Sequence, residues 1–427
     1  MDNRLRKKPN FMSATFFAPL VCLLIVVGTF NDAFDYFAIL ISLSVVLFLK
    51  EDALGFLTFI MPFANVFNRG PDTQSFFTYI FLFYVLWCFF TSKKISHSFL
   101  FSFLCLFAFL VLQMTISLNI LRTVKFAANL GFIYLAISAQ TEKENNKVFL
   151  FYILGIVISS AVVALNLIPA EYITAKKLGN VQDEIVRFSG VYGDPNYYSV
   201  NLIISLCLIV ILNHRRRLPA ILAIGLAALL VTFAIMTFSK SVFLMMLLPL
   251  LMLLYSKIKQ RKYLVLIILL IATVILMINI LAGKIEAFEM VLSRFEGEED
   301  AASLTTGRTD IWASYMQYLK QNLKVLILGA GFSGQLLNEV APHNTYIDLF
   351  YYMGLAGTFL LIVVLVSILK TGAAPSKKNL LNYSVFLSIA IMYFFLSELF
   401  YFDWPFHITL AILTLKTNML ESKKDSI

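Results

Sequence analysis

The chain has 427 residues, 60% of them hydrophobic and only 14% charged, and its mean hydropathy is +0.83. This composition excludes a soluble globular domain and indicates a protein whose solvent is lipid. The net charge of +9 would suggest nucleic-acid binding in a soluble protein. In a membrane protein it follows from basic cytoplasmic loops, so no nucleic-acid partner is predicted. The four cysteines lie in apolar runs without a CxxC pair, which indicates neither a metal site nor a disulfide framework.

Apolar segments long enough to cross a bilayer recur along the chain, since about 17–25 residues make one helical span. The candidates run near 13–30, 34–49, 54–67, 75–92, 97–118, 122–139, 148–168, 195–213, 218–237, 240–256, 262–282, 346–369, 379–398 and 404–420. We therefore predict an all-α polytopic membrane protein with about 14 (12–14) transmembrane helices, forming a single integral membrane domain over residues 1–427.

The distribution of Lys and Arg predicts the orientation, because short cytoplasmic loops carry an excess of these residues. With the amino terminus inside, 22 of the 34 Lys and Arg fall on the inner side and 12 on the outer side. Both termini are then cytoplasmic. Two long segments face outward, a loop at 169–195 and a long loop at 283–345 that we predict to be catalytic, and residues 346–420 form the C-terminal transmembrane helices.

The long outer loop contains the pattern of an amphipathic helix. Its apolar positions repeat at helical spacing and are Ile311, Trp312, Tyr315, Met316 and Leu319. We expect Thr305 or Thr306 to cap this helix, which places Arg308 in its first turn. A stripe that carries Trp and Tyr is typical of a helix lying on the membrane face. Gly329 and Gly331 are expected to end the pattern in a backbone turn.

Polar groups stand in three places on the predicted outer side. Before the span at 195–213, Asp194 is a candidate cap with Pro195 at the first helical position, and Arg187 lies upstream. Lys240 lies in a turn between two apolar runs, and Arg308 and His343 lie in the long loop. Taken singly, each has an ordinary explanation as a capped helix entry, a simple turn, a solvated charge or an interfacial histidine.

Taken together, these side chains suit an anion held at the membrane surface. Arg offers a planar fork of donors and Lys a point charge, and both bind phosphate. His343 titrates near neutral pH and is able to accept a proton from a hydroxyl. These loops contain no HExxH, DxD, P-loop or GxSxG sequence, so we predict no metal site and no nucleotide or serine-hydrolase chemistry.

The same motifs, in this order, carry a family resemblance. They are Arg187 with Gly190 and Asp194-Pro195-Asn196, the turn Thr237-Phe238-Ser239-Lys240, Gly307-Arg308 with Trp312, Gly329-Ala330-Gly331, and His343-Asn344-Thr345-Tyr346 followed by Gly354. The chain resembles the O-antigen ligase and Wzy-type polysaccharide polymerase superfamily. It departs from the family pattern at one position, since the turn commonly reads Ser-Arg there and reads Ser239-Lys240 here.

The resemblance implies a metal-independent GT-C type glycosyltransferase in the bacterial inner membrane, with its active site on the outer face and no cofactor. Its partners would be a glycan donor on undecaprenyl pyrophosphate, a glycan acceptor, membrane lipid, and a chain-length regulator and flippase. The catalytic residues would be His343, Arg308 and Arg187. The substrate-binding residues would be Lys240, Asp194, Asn196, Trp312 and Asn344. Because pyrophosphate leaves as a stabilised anion, it needs an electrostatic clamp more than a strong acid.

We therefore predict a polymerase of lipid-linked repeat units in capsule, O-antigen or exopolysaccharide synthesis. One alternative is an O-antigen ligase or protein O-oligosaccharyltransferase that uses the same donor. A second alternative is a lipid-linked oligosaccharide flippase, which should carry charges near mid-membrane. The apolar runs are nearly free of charge, with Lys125, Asp348 and Glu398 near their ends. An inert scaffold would leave the outer Arg and His set unexplained.

Overall fold

The computed structural model describes residues 14–49, 52–68, 75–92, 95–115, 117, 119–140, 142–169, 187–259, 307–332, 336–371, 380–397, 399 and 401–416. Within these ranges every regular element is a helix and none is a strand. The predicted all-α class is therefore confirmed. Helices suit such a chain because their backbone hydrogen bonds close within each segment and leave no polar group facing lipid.

The described helices follow the predicted apolar segments. They are α1 (Ala14–Gly28), α2 (Ala33–Phe48), α3 (Ala53–Ile60), α4 (Phe76–Thr91), α5 (His97–Gln113), α6 (Ile120–Ala139), α7 (Glu142–Ala164), α8 (Pro195–His214), α9 (Ala220–Met236), α10 (Lys240–Met245), α11 (Leu247–Lys259), α12 (Arg308–Gln321), α13 (Leu323–Leu328), α14 (Thr345–Leu369), α15 (Ser384–Met392) and α16 (Trp404–Lys416). Short 3-10 turns at Met61–Asn65, Gly190–Tyr192, Leu337–Glu339 and Leu380–Tyr383 join some of them.

Length and composition allow five helical segments of the described residues to cross a membrane, one of which combines α10 and α11. These are Ile120–Ala139, Glu144–Ala164, Pro195–His214, Ser241–Ile258 and Thr345–Leu369. Shorter apolar helices of 10–17 residues accompany them, so the predicted count of about 14 is not confirmed. The predicted span at 262–282 lies outside the described residues, as do 170–186 and 283–306 of the two predicted outer loops.

The chain forms two compact units, and the first comprises residues 1–91, 139–174 and 190–193. In it α1 packs on α2 and α3, and α3 packs on α7. The ring of Phe59 meets that of Phe151 edge-on, with centroids 5.8 Å apart. At the start of α3, Asp52 forms an ion pair with Lys147 of α7. The predicted catalytic residues all belong to the second unit.

The second unit comprises residues 92–138, 175–189 and 194–427 and is built around α8. This helix is buried along nearly its whole length and packs against α9, α10, α11 and α15. Its 20 residues extend about 30 Å, the thickness of a bilayer core. Helix α8 is therefore long enough to reach both faces of a membrane, and the predicted residues Arg187, Asp194 and Asn196 lie at its amino-terminal end.

Helix α14 is interrupted at Gly354, where the backbone has φ 64° and ψ −175°. The interruption leaves carbonyls without helical partners, and the loop after α13 supplies donors. Ala330 N bonds Tyr351 O at 2.7 Å, and Gly331 N bonds Tyr352 O at 3.0 Å. A Cβ on Gly329 would lie 2.2 Å from Tyr352 O. The Gly329-Ala330-Gly331 motif thus docks the end of α13 onto the interrupted helix α14.

Candidate functional site

The amino-terminal end of α8 has the predicted cap. The Asp194 carboxylate accepts a hydrogen bond from Asn196 N at 2.7 Å, and Pro195 occupies the first helical position. This arrangement is local in the sequence, because an Asp side chain reaches the amide two residues on and proline has no N–H to satisfy there. Helix N-termini attract anions through their dipole and their unpaired amides.

Arg187 is held against this helix end. Its Nε donates to Thr237 O at 2.9 Å and its Nη2 donates to Asn196 Oδ1 at 3.3 Å. The hydroxyl of Ser239 donates to the same Asn196 oxygen at 2.8 Å. The structure therefore brings Arg187, Asn196 and the 237–239 turn together, as predicted from their common side. Lys240 begins α10, but its side chain lies outside the described residues.

Arg308 begins α12, and the residue at the cap position is Gly307 with φ 75°. The expectation that Thr305 or Thr306 caps this helix is therefore wrong as to position, since the left-handed backbone needed there favours glycine. Those two threonines lie outside the described residues. The Arg308 Nη1 donates to Phe395 O at 2.8 Å, which uses one of five guanidinium donors.

The charge of Arg308 interacts with Asp194 and Tyr197 at the amino-terminal end of α8. Burial lowers the pKa of Arg308, while the nearby Asp194 and Tyr197 act in the opposite direction and raise it. Arginine keeps its charge in proteins, so the half-buried guanidinium remains a cation. Arg187, bonded to Asn196, and Arg308, close to Asp194, thus flank one helix N-terminus.

Helix α12 holds the loop that carries His343. The indole Nε1 of Trp312 donates to Pro342 O at 2.7 Å, one residue before His343. The Tyr315 hydroxyl donates to Val340 O at 2.8 Å and accepts from Leu337 N at 3.1 Å. His343 itself is half-buried and has φ 48°. The loop is therefore bound to α12 at three points.

The apolar stripe of α12 differs from the prediction of a helix lying on the membrane face. Tyr315 and Leu319 are each 1% exposed, and the Tyr315 ring packs edge-on against Tyr351 of α14 at 5.1 Å. Met316 is the one exposed residue of the stripe, with 44% of its surface accessible. The reason is that an indole N–H and a phenol O–H find backbone carbonyls in protein and none in hydrocarbon. The glycine turn lies at the predicted residues, since Gly329 is the C-cap residue, but the helix that it ends is α13, which follows α12.

Asn344 caps α14, and its buried side chain is occupied in doing so. Its Oδ1 accepts from Tyr346 N at 3.0 Å and from Ile347 N at 3.2 Å. The helix begins at Thr345, within one residue of the predicted start. The Asn344 oxygen therefore serves as the cap of α14.

The turn at residues 393–397, which we call the carbonyl turn, joins Arg308 to the His343 segment. It follows the carboxyl end of α15, where helix carbonyls lack partners. Thr345 N donates to Tyr393 O at 2.9 Å and Thr345 Oγ1 donates to Leu396 O at 2.5 Å. Arg308 donates to Phe395 O, the residue between them in the chain. Arg308 and Thr345, the residue two beyond His343, are thus anchored on neighbouring carbonyls.

A polar cluster that was not predicted from the sequence lies behind the carbonyl turn. His407 Nε2 lies 3.0 Å from Asn201 Oδ1, and Asn201 Nδ2 donates to Asp403 Oδ2 at 3.1 Å. The available signal was the i,i+4 spacing of Asp403, which directly precedes α16, and His407 within that helix, and His407 Nε2 lies 3.7 Å from Asp403 Oδ2. Among the residues that the structure describes, no group of three or more His, Cys, Asp or Glu is placed to hold a metal ion.

Part of this chain is similar to a known protein family. Residues 225–362 match the family described as O-antigen ligase. The matched segment contains Lys240, Arg308, Trp312 and His343 and ends before the carbonyl turn, while Arg187 precedes it. No curated protein and no solved structure matches the chain. The chain therefore carries, over residues 225–362, a domain of the O-antigen ligase family, which confirms the resemblance to the O-antigen ligase and Wzy-type superfamily.

Proposed function

We propose that this membrane protein is a glycosyltransferase that polymerises lipid-linked repeat units, using undecaprenyl pyrophosphate as the donor carrier and no metal ion. The observation that carries the proposal is the gathering of Arg187, Arg308 and the His343 segment at one end of α8. Two guanidinium groups at a helix N-terminus suit a pyrophosphate, and an imidazole on the segment anchored to the same turn as Arg308 suits an attacking hydroxyl.

The proposed reaction is one displacement at the anomeric carbon of the donor glycan. The acceptor oxygen forms the new C–O bond, the bond to pyrophosphate breaks, and its electron pair leaves with the pyrophosphate. The hydroxyl proton passes to the neutral ring of His343. Arg187 and Arg308 stabilise the charge that develops on the leaving group, the interaction that lowers the barrier most in such sites.

Transfer of finished glycan to lipid A core or to protein is the second candidate. The description of the matching family as O-antigen ligase favours it, and both reactions share donor and leaving group. The two differ in the acceptor, which fold and family do not specify. The flippase alternative is less well supported, because the family match at residues 225–362 covers the long loop at 283–345, which a flippase would not need.

The outward orientation of the site is part of the proposal. At the carboxyl end of α8, about 30 Å from the site, Arg215 Nη2 donates to Asn382 Oδ1 and Lys257 Nζ donates to Asn213 Oδ1, both at 3.0 Å. This basic end suits the cytoplasmic face. Single cysteines at the exposed positions Gln317 and Asn338, in a background without native cysteines, should react with an impermeant maleimide in intact cells. Labelling only after permeabilisation would reverse the orientation.

Reconstitution tests the reaction itself. Purified protein in lipid nanodiscs, given a synthetic undecaprenyl-pyrophosphate-linked repeat unit as sole substrate, should produce a ladder of polymer lengths. No ladder, but transfer when lipid A core or acceptor protein is added, would establish the ligase reading. No transfer to any of these acceptors would contradict the glycosyltransferase proposal.

A further inference from the structure

A buried chain of polar side chains lies behind the carbonyl turn. The Tyr393 hydroxyl is 3.3 Å from His407 Nδ1, and the chain continues through Asn201 to Asp403 by the contacts given above. Their exposed fractions are 4% for Tyr393, 0% for Asn201 and His407, and 1% for Asp403. Polar groups in an apolar interior are costly unless they are paired. A fully buried chain of four such residues is therefore a specific feature of this core.

The hydrogen bonds of the chain all run in one direction. The Asp403 carboxylate accepts from the Asn201 amide nitrogen, so the Asn201 oxygen faces His407 and accepts from its Nε2. This assigns the proton of the neutral imidazole to Nε2 and leaves Nδ1 to accept from the Tyr393 hydroxyl. Aligned donors and acceptors polarise one another, which strengthens each bond in a low-dielectric interior.

The two ends of the chain meet the backbone that holds the site. At one end Tyr393 is the first residue of the carbonyl turn, and its own carbonyl accepts from Thr345 N at 2.9 Å. At the other end Asn201 Nδ2 also donates to Tyr197 O at 3.2 Å, and the Tyr197 hydroxyl donates to Ser397 O at 3.2 Å. The chain therefore ties α8 to both the first and the last residue of the carbonyl turn.

We propose that Asn201, His407 and Tyr393 are positioning residues that set the separation between the Arg308 guanidinium and the His343 ring. This inference rests on the proposed function for its catalytic meaning. The residues act through the carbonyl turn, on which Arg308 and Thr345 are both anchored. Reacting groups must be held within a fraction of an ångström, and a misplacement of about 1 Å costs about 100-fold in rate.

Tyr393→Phe and His407→Phe test the proposal with little loss of packing, and Tyr346→Phe is the matched control. The Tyr346 hydroxyl donates to Ala390 O at 2.7 Å, so its loss removes a comparable bond on α15 without breaking the carbonyl turn. We expect Tyr393→Phe and His407→Phe to lower kcat by about 10- to 100-fold, with the KM for the donor unchanged. The double variant should be no slower than the slower single variant, because both substitutions break the same contact between the Tyr393 hydroxyl and His407 Nδ1.

Hydrogen exchange supplies a readout that does not need the reaction. Peptides covering residues 343–348 contain the Thr345 amide that bonds Tyr393 O, and they should exchange faster in Tyr393→Phe and His407→Phe than in wild type and Tyr346→Phe. Unchanged exchange in Tyr393→Phe, or equal losses of kcat in Tyr346→Phe, would overturn the positioning role. If the wild-type protein transfers no glycan but residues 343–348 still exchange faster in the two variants, the proposed function fails. The effect of Tyr393 and His407 on the His343 segment is then still supported.

Discussion

Trp312 and Pro342 are joined by a hydrogen bond of 2.7 Å from the indole nitrogen to the backbone carbonyl. This bond fixes α12, which begins at Arg308, to the residue that precedes His343. Trp312 therefore connects α12 to the segment that carries His343, and the interaction needs an N–H donor on a large ring.

Trp312→Phe should lower the transfer rate while leaving the protein folded. Phenylalanine keeps an aromatic ring at this position, although a smaller one, but Pro342 O loses its donor and the His343 segment gains freedom. We expect a loss of about 10- to 100-fold in kcat, in line with the cost of misplacing a reacting group. Transfer assays on purified variants measure it. Ser314→Ala, on the exposed face of the same helix, is the control, and equal losses in both variants would refute the role of Trp312.

Arg187→Ala and Arg308→Ala should each abolish polymer in cells while protein level and lipid-linked single repeats persist. Removing one donor aimed at developing charge costs about 2.7–4 kcal/mol, or about 100- to 1000-fold. Lys at either position should restore activity only partly, because the fork geometry is lost. Gel analysis of polymer and mass spectrometry of the lipid intermediates report the outcome. Full polymer from both alanine variants would exclude the pyrophosphate clamp.

His343→Gln should bind donor normally and lose about 100- to 10,000-fold in rate if the imidazole is the general base. The dipole of the α14 N-terminus, close behind His343, favours the neutral ring that a base requires. The wild-type rate should fall on the acidic side with an apparent pKa that the variant lacks. A variant with a near-normal rate and the same acid limb would leave the two arginines as the whole site.

Gly329→Ala and Gly354→Ala should both destabilise the second unit. Each residue has positive φ, and an added Cβ would lie 2.2 Å from Tyr352 O in the first case and 2.5 Å from Gly329 N in the second. Loss of thermal stability in detergent, by several degrees, is expected because a strained backbone costs about 1–3 kcal/mol. Gly225→Ala on α9 is the control, since nothing lies within 4 Å of its added Cβ. A Gly354→Ala variant that melts at the wild-type temperature would contradict the docking described for α14.

Because its phenol is buried, Tyr315 should make the folded protein less stable in alkali. Burial raises the pKa of this phenol from 10 to about 12, so the folded state disfavours its ionisation. The stability it contributes is complete below pH 10, where the unfolded phenol is neutral, and falls as the pH rises toward 12. Melting temperature should therefore drop more steeply between pH 10 and 12 in wild type than in Tyr315→Phe. Parallel curves would show that Tyr315 does not contribute to this loss.

Local signals sufficed for the helices and for several motif roles. The apolar runs predicted helices because their backbone bonds close within each segment. Asp194 and Pro195 predicted the start of α8, and the position of His343 ahead of α14 was also correct, since a cap depends on neighbours a few residues away. The charge pattern further indicated that Arg187, Arg308 and His343 share one side, and the structure links their segments at one end of α8.

Only the tertiary structure decided how these motifs are held together. The bond between Asn201 and His407 joins residues 206 positions apart, and Thr345 and Leu396 are 51 positions apart. No periodicity or local propensity encodes such pairs, because each depends on which helices pack side by side. The same holds for Trp312 and Tyr315, whose stripe suggested a membrane surface and which instead bond backbone carbonyls that only the folded loop provides. The sequence by itself determined the elements and the chemistry at their ends, and long-range packing decided which carbonyls those groups would bind.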